Sequence, residues 1–299
     1  MKKTIVGLGE VLWDMLADRK HLGGAPANFA YITRLMGNEG IVASRVGADP
    51  LGDAAKTRME ELGLSTAFVQ ADATHRTGCV HVEVDDIGNA KFDIAANSAW
   101  DFMEWTPEWQ QLAVKADAVC FGSLAQRSPQ SHDTIGRFLR ATRPEAVRVY
   151  DVNLRPPFYS PDILAECMKL ASIVKMNDHE LPEIMSLAGL SHVDEKSSAR
   201  RLIYLHNLKL VCVTRGGRGS LLVSATDSHE QPGCCVKVAD TIGAGDAFTA
   251  ALTHEYLREA SLSRMNRMAN QVGAWVASQV GATPTPKNGA LEQSLAEIS

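Results

Sequence analysis

A small-residue turn followed directly by an acid lies near the carboxyl end of the sequence, at 240–248. Gly243, Ala244 and Gly245 precede an apolar helical pattern, so their backbone N–H groups would face an anion at a helix N-terminus. Asp246 follows them, and a carboxylate beside a bound phosphate could take the proton from a hydroxyl that attacks the phosphate. The segment predicts phosphoryl transfer to an alcohol, and a capped glycine turn is an equally good interpretation.

A second glycine cluster, Gly23-Gly24-Ala-Pro-Ala-Asn28, precedes a predicted helix. Paired glycines let a backbone approach a ligand closely, and a proline suits the first turn of a helix. Together with Asp14, the cluster could supply the several fixed hydrogen bonds that a polyol requires. A structural turn followed by a helix start fits the same residues.

Two further polar groups follow predicted strands. Asn153 and Arg155 come after one strand, and the guanidinium could hold a phosphate or a substrate hydroxyl, or form a surface ion pair. Asn177 and Glu180 come after the next strand. Glu180 could act on Mg²⁺ through water, although an ordinary capping box has the same spacing and is the better interpretation of the pair alone.

The segment Thr214-Arg-Gly216-Gly-Arg-Gly219 lies between two predicted strands and could be a nucleotide phosphate loop or an ordinary hairpin turn. It does not have the Walker A spacing. Leu12 occupies the place of the third glycine of a dinucleotide fingerprint, which excludes a Rossmann NAD site. Serine-hydrolase elbows and His-Glu-x-x-His zinc motifs do not occur in the sequence.

The composition is typical of a globular enzyme. The chain has 299 residues, 45% hydrophobic and 22% charged, with a net charge of −5. A nucleic-acid partner is not expected, because the sequence has no long basic run. A membrane span is not expected either, because no stretch approaches about 20 apolar residues. Six cysteines without a Cys-x-x-Cys pair favour a reducing cytoplasm.

Short apolar runs alternate with amphipathic patterns, which predicts an α/β fold with a mostly parallel sheet covered on both faces. The predicted strands are Thr4–Leu8, Gly40–Ser44, Ala118–Phe121, Val147–Asp151, Ile173–Met176, Leu208–Val213, Ser220–Val223 and Cys234–Val238. The predicted helices include Ala25–Leu35, Asp53–Leu62, Gln130–Thr142 and Pro161–Leu170. Since ligands bind at the carboxyl ends of parallel strands, the polar groups above should converge on one cleft.

One region departs from this alternation. Residues 78–94 alternate apolar and polar side chains around a turn at Asp86–Asn89, which predicts a hairpin, and Val11–Leu22 could add another strand. A small antiparallel sheet of this kind could be a lid, a dimer surface, or both. No linker interrupts the sequence, so residues 1–299 are predicted to form a single domain, with a β lid at about 11–22 and 78–95.

Taken together, these residues resemble the PfkB (ribokinase-like) family of carbohydrate kinases over essentially the full chain. The N-terminal signature runs from Gly23 to Gly47, and the C-terminal signature runs from Asp240 to Thr253. The run Phe121-Gly-Ser-Leu-Ala and the Asp151-x-Asn-x-Arg motif are most like the fructokinase branch. The resemblance implies a three-layer α/β/α fold and an ATP-dependent sugar kinase that uses Mg²⁺.

The resemblance also implies roles for individual residues. Asp246 would be the catalytic base, with Arg155 and an anion hole of Gly243, Ala244 and Gly245. The implied sugar-binding residues are Asp14, Gly23, Gly24, Asn28, Asn97 and Asn153. The implied nucleotide-binding residues are Asn177, Thr214, Gly216, Gly219 and Asn270. Glu180 would act on Mg²⁺, and Asp240, Gly281 and Thr285 would form a monovalent-cation site for K⁺, although Ile242 stands where some members have a hydroxyl residue.

The favoured activity is conversion of fructose to fructose 6-phosphate by a homodimer that is paired through the β lid. A 2-keto-3-deoxygluconate kinase would need a further cation for the substrate carboxylate, with Arg76, Arg127 and Arg155 as candidates. A nucleoside kinase would need aromatic stacking. A sugar-binding sensor without activity is disfavoured, because a binder has no need of the base.

Overall fold

The structure is a computed structural model that describes residues 2–15, 20–84, 90–296 and 298. Its strands are β1 (Thr4–Leu8), β2 (Leu12–Met15), β3 (Lys20–Gly23), β4 (Glu39–Gly47), β5 (Val69–Asp72), β6 (Gly78–Val84), β7 (Ala90–Ile94), β8 (Ala118–Gly122), β9 (Val147–Asp151), β10 (Ile173–Asn177), β11 (Leu210–Thr214), β12 (Ser220–Val223) and β13 (Ser228–Gln231). Its α-helices are α1 (Ala25–Leu35), α2 (Pro50–Glu61), α3 (Pro107–Lys115), α4 (Pro129–Ala141), α5 (Pro161–Leu170), α6 (Glu180–Leu187), α7 (Glu195–His206), α8 (Ala244–Leu257), α9 (Leu262–Ala277) and α10 (Leu291–Leu295).

The central sheet has nine strands in the order β13-β12-β11-β10-β9-β8-β1-β4-β5. The strands from β11 to β5 pair in parallel, and β12 and β13 add antiparallel pairs at one edge. This arrangement confirms the mostly parallel sheet that the alternation of strands and helices predicted. The carboxyl ends of the parallel strands therefore lie along one edge of the sheet.

Two buried cores cover the two faces of this sheet. Val119 and Phe121 of β8 point into one core, and Ala118 and Cys120 of the same strand point into the other. Helices α3 to α7 supply the first core, and α1, α2, α8, α9 and α10 supply the second. The result is the three-layer α/β/α fold that the sequence indicated.

Several helices begin where a polar cap residue precedes a proline. Asp49 accepts a hydrogen bond from the backbone N–H of Gly52, and Ser160 accepts one from that of Ile163. These signals explain why the predicted start of α5 agrees with the structure. The predicted start of α2, at Asp53, was three residues late because Pro50 opens that helix.

The second sheet has four strands in the order β3-β2-β6-β7. β2–β3 and β6–β7 are antiparallel hairpins, and a parallel β2–β6 pair joins them. The small sheet predicted from these two regions is present, but Val11–Leu22 was predicted as one strand and contributes two, and the β2–β6 pair is parallel. The predicted turn at 86–89 lies outside the described residues.

The predicted strand Cys234–Val238 was wrong. This segment has no strand assignment, and the strand before it, β13, ends at Gln231. Val238 is 59% exposed, and the next N–H, that of Ala239, donates to the carbonyl of Ala277 in α9. Cys234 and Val236 are partly buried against the second core, so this segment packs against the protein without joining the sheet. No helix among the described residues is long and apolar enough to cross a membrane.

Candidate functional site

The carboxyl ends of β1, β8 and β9 meet the first turns of α1 and α8. A cavity of about 20 Å³ lies between them, and a cavity of this size holds a single water molecule. Its polar lining includes Glu10, Ser123, Asp151, Asn153 and Asp246. The fold thus brings together residues that are more than 230 positions apart in the sequence.

Helix α8 begins at Ala244 without a side-chain cap. Gly243 is its N-cap residue, at φ 77°, and a Cβ there would lie 2.4 Å from the Cβ of Ala282. Only glycine suits this position, because other residues are strained at such a φ and this one has no space for a side chain. The predicted anion hole of Gly243, Ala244 and Gly245 therefore lies at a helix N-terminus, where backbone donors and the helix dipole favour an anion.

Asp246 is in the first turn of α8, and its carboxylate accepts a 2.8 Å hydrogen bond from the side-chain amide of Asn28. Burial, and after it the charge of Asp151, raise the pKa of Asp246 to about 6. The Asn28 hydrogen bond and the charges of Lys175 and Arg155 act in the opposite direction. A carboxylate with a pKa just below neutrality is suited to accept a proton at physiological pH.

A buried ion pair lies beside Asp246. Lys175 Nζ donates to both carboxylate oxygens of Asp151, at 3.0 and 3.1 Å, and Thr249 Oγ1 donates to Asp151 at 2.9 Å. Burial acts to lower the pKa of Lys175, but the carboxylates of Asp151, Glu180 and Asp246 outweigh it and raise that pKa above its ordinary value. A Cβ on Gly245 would lie 3.1 Å from Lys175 Nζ, so this positive charge adjoins the anion hole.

The sequence analysis gave no role to Glu10 or Lys175. Glu10 follows β1, is 5% exposed, and accepts a 3.2 Å hydrogen bond from the backbone N–H of Ala25 at the start of α1. Burial raises the pKa of Glu10 to about 7. The rule that selected other strand ends could have found Glu10, and a lysine inside the apolar run of β10 could have indicated Lys175.

The sugar-binding residues predicted from the first glycine cluster lie next to each other. A Cβ on Gly23 would lie 2.3 Å from the Asp14 carboxylate, and one on Gly24 would lie 2.4 Å from the carbonyl oxygen of Glu10. Both glycines are therefore required by close packing. Burial raises the pKa of Asp14 to about 6, with the charges of His21 and Arg155 acting to lower it.

Three other predicted residues lie on loops at the same edge of the sheet. Asn97 and Asn153 have φ values of 51° and 39°, in the left-handed region that asparagine tolerates better than most residues. Asn153 lines the cavity, whereas Asn97 is exposed near the root of the second sheet. Arg155 is also exposed, and its charge opposes the effect of burial on the pKa of Asp246.

At the start of α6, the side chains of Asn177 and Glu180 each accept a hydrogen bond from the backbone N–H of the other residue. The side-chain oxygen of Asn177 accepts from the N–H of Glu180 at 2.8 Å, and Glu180 accepts from the N–H of Asn177 at 2.8 Å. The other carboxylate oxygen of Glu180 accepts from the N–H of Leu154, also at 2.8 Å. This is the capping arrangement that the sequence left open, and it also ties α6 to the chain after β9.

The predicted nucleotide residues are close in space but differ in accessibility. Thr214 ends β11 beside Asn177, and the loop to β12 turns through a short 3₁₀ helix, with Gly216 and Gly219 at positive φ. Asn270 is 7% exposed on α9, where its amide donates to Ser220 Oγ at 2.7 Å. Asn270 therefore braces the strand behind this loop.

Of the residues predicted to bind a monovalent cation, Asp240 and Gly281 are linked by a hydrogen bond, and Thr285 is not linked to them within the described residues. The Asp240 carboxylate accepts from the N–H of Ile242 at 3.0 Å and from that of Gly281 at 3.2 Å. Thr285 is exposed and shares no hydrogen bond with Asp240 in the described part of the chain. Within those residues, no cluster of three or more His, Cys, Asp or Glu side chains is arranged to hold a metal ion.

Comparison with known proteins identifies the family and the fold. The chain matches the model of the pfkB family of carbohydrate kinases over residues 9–288. A fructokinase from Vibrio alginolyticus is 32% identical over 87% of this chain and 86% of that protein. A sugar kinase from Pyrococcus horikoshii, uncharacterized and solved in complex with ATP, is 26% identical, with a TM-score of 0.83 over 98% of this chain and 99% of that one.

A fructokinase from Vibrio cholerae, solved with fructose, ADP and calcium, has a TM-score of 0.82 at 24% identity, over 100% of this chain and 99% of that one. At this identity the likeness is one of fold, and it matches the three layers described above. The family model covers the cleft residues from Glu10 to Gly281. The chain therefore belongs to the pfkB family of carbohydrate kinases and is a sugar kinase.

Proposed function

We propose that this kinase transfers the γ-phosphoryl group of MgATP to the primary hydroxyl of fructose, giving fructose 6-phosphate. The observation that carries the proposal is Asp246, a buried carboxylate in the first turn of an uncapped helix, oriented by Asn28. It stands where a hydroxyl that attacks an anion at the helix N-terminus must lose its proton. The fructokinase relative at 32% identity supports fructose as the acceptor.

In this mechanism the Asp246 carboxylate accepts the hydroxyl proton as the sugar oxygen attacks the γ-phosphorus. The N–H groups at the start of α8 and the guanidinium of Arg155 stabilise the charge on the transferring group. Lys175 adds a fixed positive charge beneath Gly245. Since these donors are already in place, positioning and electrostatics supply most of the rate enhancement.

We propose that the sugar lies between the Asp14–Gly23–Gly24 corner and the Asn97 and Asn153 loops, with ATP along the ends of β10 and β11. Asn28 would contribute to the sugar site through Asp246. Asn177, Thr214, Gly216 and Gly219 line the nucleotide side, and Asn270 supports it from behind.

Mg²⁺ is implied by the family, and the residues fit an ion that is held mainly by nucleotide phosphates and water. Both oxygens of Glu180 already accept backbone hydrogen bonds, so this residue would reach the ion only through water. Mg²⁺ would neutralise charge on the β- and γ-phosphates. K⁺ would be held by Asp240 and by carbonyl groups near Gly281 and Thr285.

The second sheet is proposed to close over the sugar and to pair with a second copy in a homodimer. Its outer strands, β3 and β7, each have one edge without a partner strand among the described residues. Light scattering at several protein concentrations tests the dimer. A cytoplasmic location is supported by the six cysteines, which are all free in the structure.

The arginines bear on the rival acceptor, 2-keto-3-deoxygluconate, because its carboxylate would need a cation. Arg127 is paired with Asp101, which leaves Arg76 and Arg155 as exposed candidates to bind a substrate carboxylate. The deciding experiment is ADP release with MgATP and fructose, ribose, 2-keto-3-deoxygluconate, tagatose or adenosine. We expect the highest kcat/KM with fructose. A higher kcat/KM with any other acceptor overturns the fructose assignment, and no turnover with any of them overturns the proposed function.

A further inference from the structure

A buried arginine joins three segments that surround the proposed sugar site. Arg127 lies just after β8, and its side chain is 7% exposed. Its Nε and Nη2 atoms donate to the two carboxylate oxygens of Asp101, both at 2.8 Å, in a fork that only arginine can form. Asp101 is 5% exposed, so both charges are withdrawn from water.

The pair fixes the chain on both sides of Asn97. Arg127 Nη2 also donates to the carbonyl oxygen of Ala95, at 2.5 Å, directly after β7 ends. The Asp101 carboxylate accepts from the N–H of Ser98 at 3.0 Å. Asn97 is therefore held between two clamped neighbours, in a left-handed conformation that most residues would avoid.

The same guanidinium contacts the loop that carries Arg155. Its Cζ atom lies 4.0 Å from the ring centroid of Trp100 and 4.7 Å from that of Phe158. The N–H of Phe158 donates to the carbonyl of Arg155 at 2.8 Å, closing a turn between them. The position of Arg155 thus depends on Phe158, which packs against Arg127.

Stability alone does not explain this arrangement. The Nη1 atom of Arg127 is buried and has no hydrogen-bond partner among the described residues. An unsatisfied buried donor is unfavourable, and a buried ion pair is often no more stabilising than apolar side chains of the same volume. The pair fixes relative positions, because the planar guanidinium of Arg127 holds three chain segments in a fixed arrangement.

We propose that the Arg127–Asp101 pair positions the residues around the acceptor sugar. It fixes the positions of both Asn97 and Arg155, and it anchors the end of β7 in the small sheet. The inference rests on the proposed roles of these two residues, Asn97 in sugar binding and Arg155 beside the transferring group. Loss of the Arg127–Asp101 pair should weaken sugar binding and leave ATP binding at the ends of β10 and β11 unchanged.

The test compares Arg127→Met with wild-type enzyme, using the acceptor that wild type phosphorylates best. Methionine keeps the apolar packing between the two rings but removes the fork. We expect the KM for the sugar to rise about tenfold or more and the KM for ATP to stay within about twofold. Sugar binding measured by calorimetry should weaken by the same factor as the KM.

The matched control is Arg148→Met at the opposite end of β9. Arg148 is also partly buried, and its Nε donates to the carbonyl of Leu170 at 2.6 Å, but it lies near the amino end of the strand, three residues before Asp151. This variant should keep both KM values. If Arg127→Met does not fold, Asp101→Asn provides the same test, because the amide keeps one acceptor and loses the charged fork.

Chemical rescue distinguishes positioning from a general loss of structure. Arg127→Ala leaves a planar slot between Trp100 and Phe158 beside the Asp101 carboxylate. Methylguanidinium, added below denaturing concentration, should lower the raised sugar KM, whereas NaCl at the same ionic strength should not. Equal changes in all kinetic constants, or an unchanged sugar KM, overturn this inference while wild-type turnover still supports the proposed function.

Discussion

Helices α6 and α8 both begin at the carboxyl edge of the central sheet, and their first turns are built in opposite ways. At α6, Asn177 and Glu180 satisfy each other and the backbone, and no carboxylate oxygen is left free. At α8, no side chain caps the helix. The acid in its first turn, Asp246, accepts a hydrogen bond from Asn28 of α1, a helix that is far from α8 in the sequence. An acid at a helix start can therefore be structural or chemical, and its hydrogen-bond partners distinguish the two.

The largest expected effect is on the α8 side. Asp246→Asn keeps the acceptor for Asn28 but removes the base, so kcat should fall at least about 10²-fold with little change in ATP affinity. Stability should not fall, because the variant removes a buried charge. Steady-state kinetics and chemical unfolding measure both quantities.

The matched control for this variant is Asp133→Asn, an exposed carboxylate on α4 whose side chain is 67% exposed. It should leave kcat unchanged. A near-wild-type rate for Asp246→Asn would remove Asp246 from its role as base.

The pH dependence tests whether the base works with the raised pKa. Asp246 must be ionised to accept a proton, and its pKa is raised to about 6, so kcat/KM should fall as pH decreases through 6. Since the pKa of Asp14 is also raised to about 6, two ionisations contribute, and the fall should exceed about tenfold per pH unit. The slope of kcat/KM against pH is measured between pH 4.5 and 8 for the wild-type enzyme and for Asp14→Asn.

In Asp14→Asn the slope should decrease to about tenfold per pH unit, because one ionisation remains. A flat profile down to pH 4.5 in wild type would show that Asp246 has its ordinary acidity during catalysis. The raised pKa would then have no part in the mechanism.

The smallest expected effect is on the α6 side. Asn177→Ala removes the acceptor for two backbone N–H groups, so the free energy of unfolding should decrease by about 1 kcal/mol. Asn177→Asp keeps the acceptor and should retain the stability. Equal losses in both variants, measured by urea unfolding, would contradict the capping role.

The sequence predicted the parallel sheet and most of the cleft, because strand ends and glycine clusters are local signals. It could not separate α6 from α8, since the hydrogen bonds that distinguish them come from Leu154 and Asn28. Lys175 was missed for a similar reason. Its role depends on Asp151 in the neighbouring strand, and a charged residue inside an apolar run gives no sign of its partner.

The small sheet shows what local patterns cannot predict about strand pairing. Alternation predicted the hairpin at 78–94 and one further strand from 11–22, where the structure has two strands. The parallel pairing of β2 with β6 joins segments that are about 65 positions apart, which no local pattern specifies. The predicted strand at Cys234–Val238 was wrong because the segment pairs with no strand among the described residues, although Cys234 and Val236 pack against the second core. An apolar pattern gives no sign of whether a partner strand is available.

The hydrogen bond between Asn28 and Asp246 has a consequence for synthesis of the protein. The two residues are 218 positions apart, so this pair cannot form until most of the chain has left the ribosome. Contacts of such long range are also slow to form, because the chain must close a very large loop first. A nascent or truncated chain would hold the amide without its carboxylate, and kinase activity would arise only at the end of folding.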